Sequence, residues 1–424
     1  MRTLRRTSFW MVVAASVLAL PLAAQRRAPT GFSPARLARI DSALQRYVDS
    51  QQVAGVVALV LRDGVPVYQR AFGWADREAK RPMTADVIFR IASQTKALTS
   101  ASVLMLVESG AIGLDDPVSR WVPGYARTMV AVKTDTGRVL VPARRAISIR
   151  DLLTHSSGIS YGTEPLVAPL YQAAGLGPAA GYGWYTADKT EPICTTIDRL
   201  STLPIIAQPG EAWVYGYSTD ILGCVVERAS GQPLDAFIRD RITTPLRLKD
   251  TRFFLPAEQR ARLAAVYSSG PDGRVVRAPD GPRGQGDYVD GPKASFAGGA
   301  GLLSTAADYA RFLEAIRRGG ELDGVRILSP RAAQLMHTNL VGTRHSTDGL
   351  GFGLGFETME TFGANGFATE GSYGWGGAYG SMYRVDPVEG LVMVLMFQTM
   401  PNGSTIRTRF PTLVMQALVQ PRRR

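Results

Sequence analysis

Cysteine and histidine are the scarcest chemistry-bearing residues of this chain, with 2 cysteines and 3 histidines (His155, His337 and His345) among 424 positions. So few thiols cannot staple a disulfide-framed miniprotein. No Cys/His grouping has metal-ligand spacing, so neither a structural zinc site nor any other cofactor is expected. Charge is thin too, at 20% of residues, and the basic ones are scattered apart from Arg26-Arg27 and Arg422-Arg423-Arg424. No basic stripe alternates with aromatics, so the formal net charge of +12 reads as solvated surface and argues against a nucleic-acid partner. The 44 glycines and 26 prolines follow no period, which excludes collagen. With 45% hydrophobic residues the chain can bury a sizeable core.

Long apolar runs are missing, with one exception at the start. Arg2, Arg5 and Arg6 precede an apolar stretch over residues 9–22, followed by Ala23-Ala24-Gln25. That order reads as a secretory signal peptide over residues 1–24. An uncleaved N-terminal anchor is the competing reading, although the stretch is short and lopsided for a membrane span. Cleavage would lower the net charge from +12 to +9. The expectation is an exported protein, periplasmic or secreted, without stable membrane insertion once cleaved. In an oxidising compartment Cys194 and Cys224 are free to pair, but their spacing does not distinguish a disulfide from two buried thiols.

Local patterns then place the elements. Ser33-Pro34 opens a helix running to about Asp49, with Leu37, Ile40, Leu44 and Tyr47 at helical spacing. Residues 56–61 and 65–72 flank Asp63-Gly64 as a tight hairpin. Residues 93–109 form a helix whose apolar positions cover most of its circumference, so it belongs in the core. Further helices are expected at 149–153, 219–228 and 307–318, and strands at 379–385 and 391–398. Residues 166–185, rich in Gly, Ala, Pro and Tyr, suggest a loop lining an opening. Strands at both ends with helices between predict an α/β (α+β) fold. A sheet subdomain over about 33–92 and 291–424 would receive a mainly helical insertion over about 93–290, together one unit spanning 25–424.

The buried helix opens with Ser93-Gln94-Thr95-Lys96. Residues three apart share a helix face, with Cβ atoms about 5–6 Å apart, so amine and hydroxyl can meet. A lysine takes a hydroxyl's proton only when neutral, which burial and a nearby cation favour. Unpaired N–H groups at a helix start can stabilise an oxyanion. Three later segments follow in order: Pro209-Gly210-Glu211-Ala212-Trp213-Val214-Tyr215-Gly216-Tyr217-Ser218, then Phe296-Ala297-Gly298-Gly299-Ala300-Gly301, then Tyr373-Gly374-Trp375-Gly376-Gly377-Ala378.

With these motifs in sequence, the chain resembles the serine β-lactamase and penicillin-binding-protein superfamily from about Ser33 to its C-terminus. It is most similar to the class C-like branch of carboxylesterases called family VIII. The resemblance implies an antiparallel sheet flanked by helices, with an inserted helical domain. It implies Ser93 as the acylated nucleophile, Lys96 as its hydrogen-bonded partner, and Tyr215 as the tyrosine of the Tyr-x-Asn motif. The N–H groups of Ser93 and Ala378 would form the oxyanion hole.

Two departures stand out. Tyr217 replaces the motif's Asn, and Trp375-Gly376-Gly377 replaces Lys-Thr-Gly. A lysine there helps bind the carboxylate of β-lactams and peptidoglycan stem peptides. An indole lacks that charge and offers an apolar wall, while the two glycines permit close approach of substrate. Tyr217, Trp375, Gly376 and Gly377 are accordingly expected at the substrate. The resemblance thus implies a serine carboxylesterase acting on a small-molecule ester. The alternatives are a β-lactamase or D-amino-acid peptidase, and a non-catalytic sensor that keeps the fold; oligomeric state is left open. His155, in Thr154-His155-Ser156-Ser157-Gly158, is expected to be a hydrogen-bonding turn residue, not a catalytic base.

Overall fold

The central sheet draws on both ends of the chain. A computed structural model describes residues 31–135, 137–176, 188–281 and 284–422. The expected signal peptide and residues 177–185 of the expected loop lie outside these residues. Eight strands run in the order Leu350–Phe352, Glu357–Met359, Tyr373–Gly376, Gly380–Asp386, Leu391–Gln398, Gly55–Arg62, Val65–Asp76 and Arg81–Pro82. Every neighbouring pair is antiparallel.

Gly55–Arg62 and Leu391–Gln398 are buried at every position, hence their unbroken apolar sequences. Side chains alternate across a strand, so each strand feeds two cores. Val56, Ala58, Val60, Met393 and Leu395 pack under the helices Pro34–Asp49 and Ile406–Ala417. Val57, Leu59, Val392, Val394 and Met396 face the other side, toward the helices Thr95–Glu108 and Ala306–Arg317. The first and last helices meet where the Ser33 N–H donates to the Ala417 carbonyl at 2.9 Å.

Thr95–Glu108 packs against the helix Ser218–Ser230, which in turn lies on Ile193–Leu200. The open choice for the two cysteines resolves as a disulfide: Cys194 and Cys224 are bonded, with Cα atoms 5.1 Å apart, and tie these last two helices together. Two expectations change and one element is new. Ser93 lies in a 3-10 turn, Ala92–Gln94, and the α-helix starts only at Thr95. The expected loop holds a short helix, Ala168–Ala173, which Pro169 in its first turn permits. A hairpin, Met129–Thr134 with Gly137–Pro142, was not foreseen.

Candidate active site

Ala92 holds φ at +44°, a left-handed conformation costing a non-glycine residue on the order of 1–3 kcal/mol. The turn it makes leaves Ser93 half-buried on the wall of a cleft of about 770 Å³. One residue into the helix, Thr95 accepts at Oγ1 from the Leu302 N–H at 3.0 Å, which clamps residues 297–302 against the turn.

Lys96 is 3% exposed, and its side-chain nitrogen meets three partners inside the protein. It reaches the Gly299 carbonyl at 2.8 Å, the Tyr161 hydroxyl at 3.1 Å and the Ser93 Oγ at 3.4 Å. The N–H of Gly299 donates in turn to Asp220 Oδ1 at 3.0 Å. Asp220 is buried, and that burial raises its carboxyl above the ordinary carboxylate range, opposed by Lys96 and the Gly299 N–H. Such closeness needs glycine. A Cβ on Gly298 would stand 2.6 Å from the Thr219 carbonyl, and one on Gly299 2.3 Å from Asp220 Oδ2. The Gly-rich segment is therefore explained by packing.

Tyr215 arrives from the loop before Ser218–Ser230. Its ring centroid lies 4.8 Å from Lys96 Nζ, and its hydroxyl accepts from Trp375 Nε1 at 3.1 Å. Trp213 stacks on it at 5.7 Å, while Tyr161 stands edge-on at 5.6 Å. Burial, with Tyr215, Asp220 and Tyr217 close by, pushes the Tyr161 phenol well above its ordinary value, so it stays protonated.

Ser93, Tyr161, Tyr215, Trp375, Gly376, Gly377 and Ala378 all line the one cleft. Lys96 lies just behind that wall. Tyr217 does not line it: the side chain is 4% exposed and stands edge-on to Tyr161 at 4.9 Å, supporting that ring from behind. His155 is a turn residue as expected, its carbonyl accepting from the Val214 N–H at 2.7 Å, but its ring does not share in the bonding. Its ring Nδ1 has no hydrogen-bond partner among the described residues, and the imidazole packs on Tyr215 at 4.8 Å and Phe352 at 5.5 Å. Burial, then Lys96 and His345, hold its pKa well below 6.5, so the ring is neutral.

Sequence reasoning missed four residues here. Tyr161 and Asp220 stand in no motif, although an acid in the first turn of an otherwise apolar helix is a signal in the case of Asp220. Arg384 and Arg407 also line the cleft. A Cβ on Gly376 would lie 2.1 Å from Arg407 Nη2, so this guanidinium fills the space that a side chain at 376 would take. Among the described residues no carboxylate lies within ion-pair distance of Arg407. Arg384 is 7% exposed; its Nη2 lies 3.6 Å from Glu357, and its Nη1 has no partner among the described residues. Position 375 carries no charge, yet the cleft beside it does.

A family model described as Beta-lactamase matches residues 40–413. Esterase EstB of Burkholderia gladioli is 33% identical over 393 residues, covering 88% of this chain and 94% of that protein. Monacolin J acid methylbutanoyltransferase of Aspergillus terreus is 28% identical over 395 residues, covering 85% and 90%. Among solved structures, EstCE1, a hydrolase with promiscuous acyltransferase activity, superposes with a TM-score of 0.75 at 29% identity. That match covers 91% of this chain and 99% of EstCE1.

Proposed function

The chain belongs to the beta-lactamase family, and on that footing we propose that it is a serine hydrolase cleaving carboxylic esters through an acyl-enzyme on Ser93. One observation carries the reading: the Ser93 hydroxyl lies 3.4 Å from a buried lysine nitrogen, on the wall of a cleft that Tyr215 shares. Ser93 Oγ attacks the ester carbonyl as its proton passes to the Lys96–Tyr215 pair. The N–H groups of Ser93 and Ala378 receive the oxyanion. As the C–O bond breaks, Tyr215 protonates the leaving alcohol. Water then attacks the acyl-enzyme, and Ser93 recovers its proton as the acid departs. The indole N–H of Trp375 donates to the Tyr215 oxygen at 3.1 Å and fixes the position of that hydroxyl in the cleft. Ser93→Ala is expected to abolish hydrolysis of p-nitrophenyl butyrate; turnover retained at the wild-type rate would remove Ser93 from this role.

Arg384 and Arg407 favour a second reading, a β-lactamase or D-amino-acid peptidase, because a cationic cleft suits substrates bearing a carboxylate. Side-by-side rates on nitrocefin, a D-alanyl peptide and neutral esters separate the two. Export with loss of residues 1–24 belongs to the same proposal, and the Cys194–Cys224 disulfide supports it, since such bonds persist in oxidising compartments. A secreted product whose N-terminus is still Met1 would contradict it.

A further inference from the structure

A second cleft, of about 700 Å³ and sharing no lining residue with the Ser93 cleft, lies between the helix Leu234–Ile238 and residues 243–254 and 293–302. Its volume is ordinary for a small-molecule site. The floor is apolar: Ile238, Leu248, Phe253 and Leu302 are buried, and Phe296 stands edge-on to Phe253 at 5.4 Å and to Phe254 at 6.1 Å.

The rim is cationic. Arg239, Arg247, Lys249, Arg252 and Lys293 all line the cleft, against a single carboxylate, Asp235, among the described lining residues. Arg239 is paired with Asp240, and Arg252 donates to the Lys249 carbonyl. Among the described residues no carboxylate lies within ion-pair distance of Arg247, Lys249 or Lys293. Those three side chains are exposed, and two of them stand on left-handed backbone, Arg247 at φ +57° and Lys293 at φ +54°. Left-handed non-glycine residues are uncommon, and two of them bracket this one cleft.

An aromatic floor beneath three uncompensated cations matches one ligand chemistry: a molecule with an apolar tail and a single anionic head. We propose that this cleft is a second binding site, for an amphiphilic carboxylate, its alkyl or aryl tail on Phe253, Phe254 and Phe296 and its head among Arg247, Lys249 and Lys293. The site is separate from the proposed ester cleft and does not depend on that reading. It adjoins it, because Phe296 and Leu302 bracket the segment whose Gly299 carbonyl holds Lys96.

Calorimetric titration of the full chain with dodecanoate tests the proposal. The expected result is a saturable site that Lys249→Glu/Lys293→Glu weakens at least about ten-fold, with p-nitrophenyl butyrate hydrolysis unchanged. Dodecanol, with the same tail and no charge, is expected to bind at least about ten-fold more weakly. The milder Lys249→Ala/Lys293→Ala pair is expected to weaken dodecanoate about three-fold and serves if charge reversal disturbs folding. Equal affinity for dodecanoate and dodecanol, or dodecanoate binding that neither variant changes, would overturn it. So would binding confined to the Ser93 cleft, seen as loss of every dodecanoate site in the Arg407→Glu variant alone.

Discussion

The two walls of the Ser93 cleft are built on different principles. On the helical side, Lys96 is fixed by a backbone carbonyl, a phenol and the serine hydroxyl, with Asp220 fastened to the other end of the same peptide segment. Three contacts on one nitrogen, the shortest of them 2.8 Å to a buried carbonyl, rigidify the groups that would exchange protons. The sheet side carries an indole, two glycines and an arginine delivered from the C-terminal helix. Those groups present an aromatic face and a charge to the cleft rather than a closed network. On the proposed reading, chemistry is held by the rigid wall and choice of substrate by the open one. Trp375 belongs to both, because its ring faces the cleft and its N–H reaches Tyr215.

The largest effect should come from the rigid wall. Lys96→Ala is expected to lower kcat by about 10²–10⁴-fold on every ester tried, neutral or anionic. A loss confined to one substrate class would erase the distinction between the walls. Trp375→Phe keeps an aromatic face but removes the donor to Tyr215, and should cost about ten-fold in kcat with a smaller change in KM. A change in KM alone would make Trp375 a recognition residue only. Arg407→Ala should shift the ratio of kcat/KM for anionic over neutral esters downward several-fold, leaving kcat for the neutral ester near wild type. An equal loss on both would move Arg407 to the catalytic side.

The smallest effect concerns stability. His155 is neutral in the fold because its pKa is depressed, whereas the unfolded chain binds a proton near the ordinary value of 6.5. Its contribution is therefore fully present above pH 6.5 and is lost as the pH falls below it. His337, also depressed by burial, adds in the same direction. Thermal melts from pH 7.5 to 5.0 should show a falling Tm that His155→Phe partly flattens; identical slopes in both proteins would remove His155 as a cause.

Much of this was legible in the chain itself. The strand Leu391–Gln398 announced its central place by an unbroken apolar run, and the hairpin around Asp63-Gly64 by its turn residues. Ser93, Lys96 and Tyr215 stood in motif order, and the fold brings them together. What stayed hidden depends on long-range contact. Arg407 meets Gly376 across 31 positions, and Tyr161 meets Lys96 across 65, with no spacing to mark either pair. The helix Ile406–Ala417 carries Pro411 inside it, which on sequence alone argues for a break. Tyr217 was placed by motif analogy. A phenol is far bulkier than the amide it replaces, and here it packs behind Tyr161 instead of facing substrate.

The most direct measurement is intact-mass analysis after exposure to a fluorophosphonate or a slowly deacylating ester, followed by peptide mapping. A single stoichiometric adduct carried by Ser93, absent in Ser93→Ala and formed much more slowly in Lys96→Ala, is the predicted result. An unlabelled protein that still hydrolyses esters, or an adduct on any other residue, would contradict it.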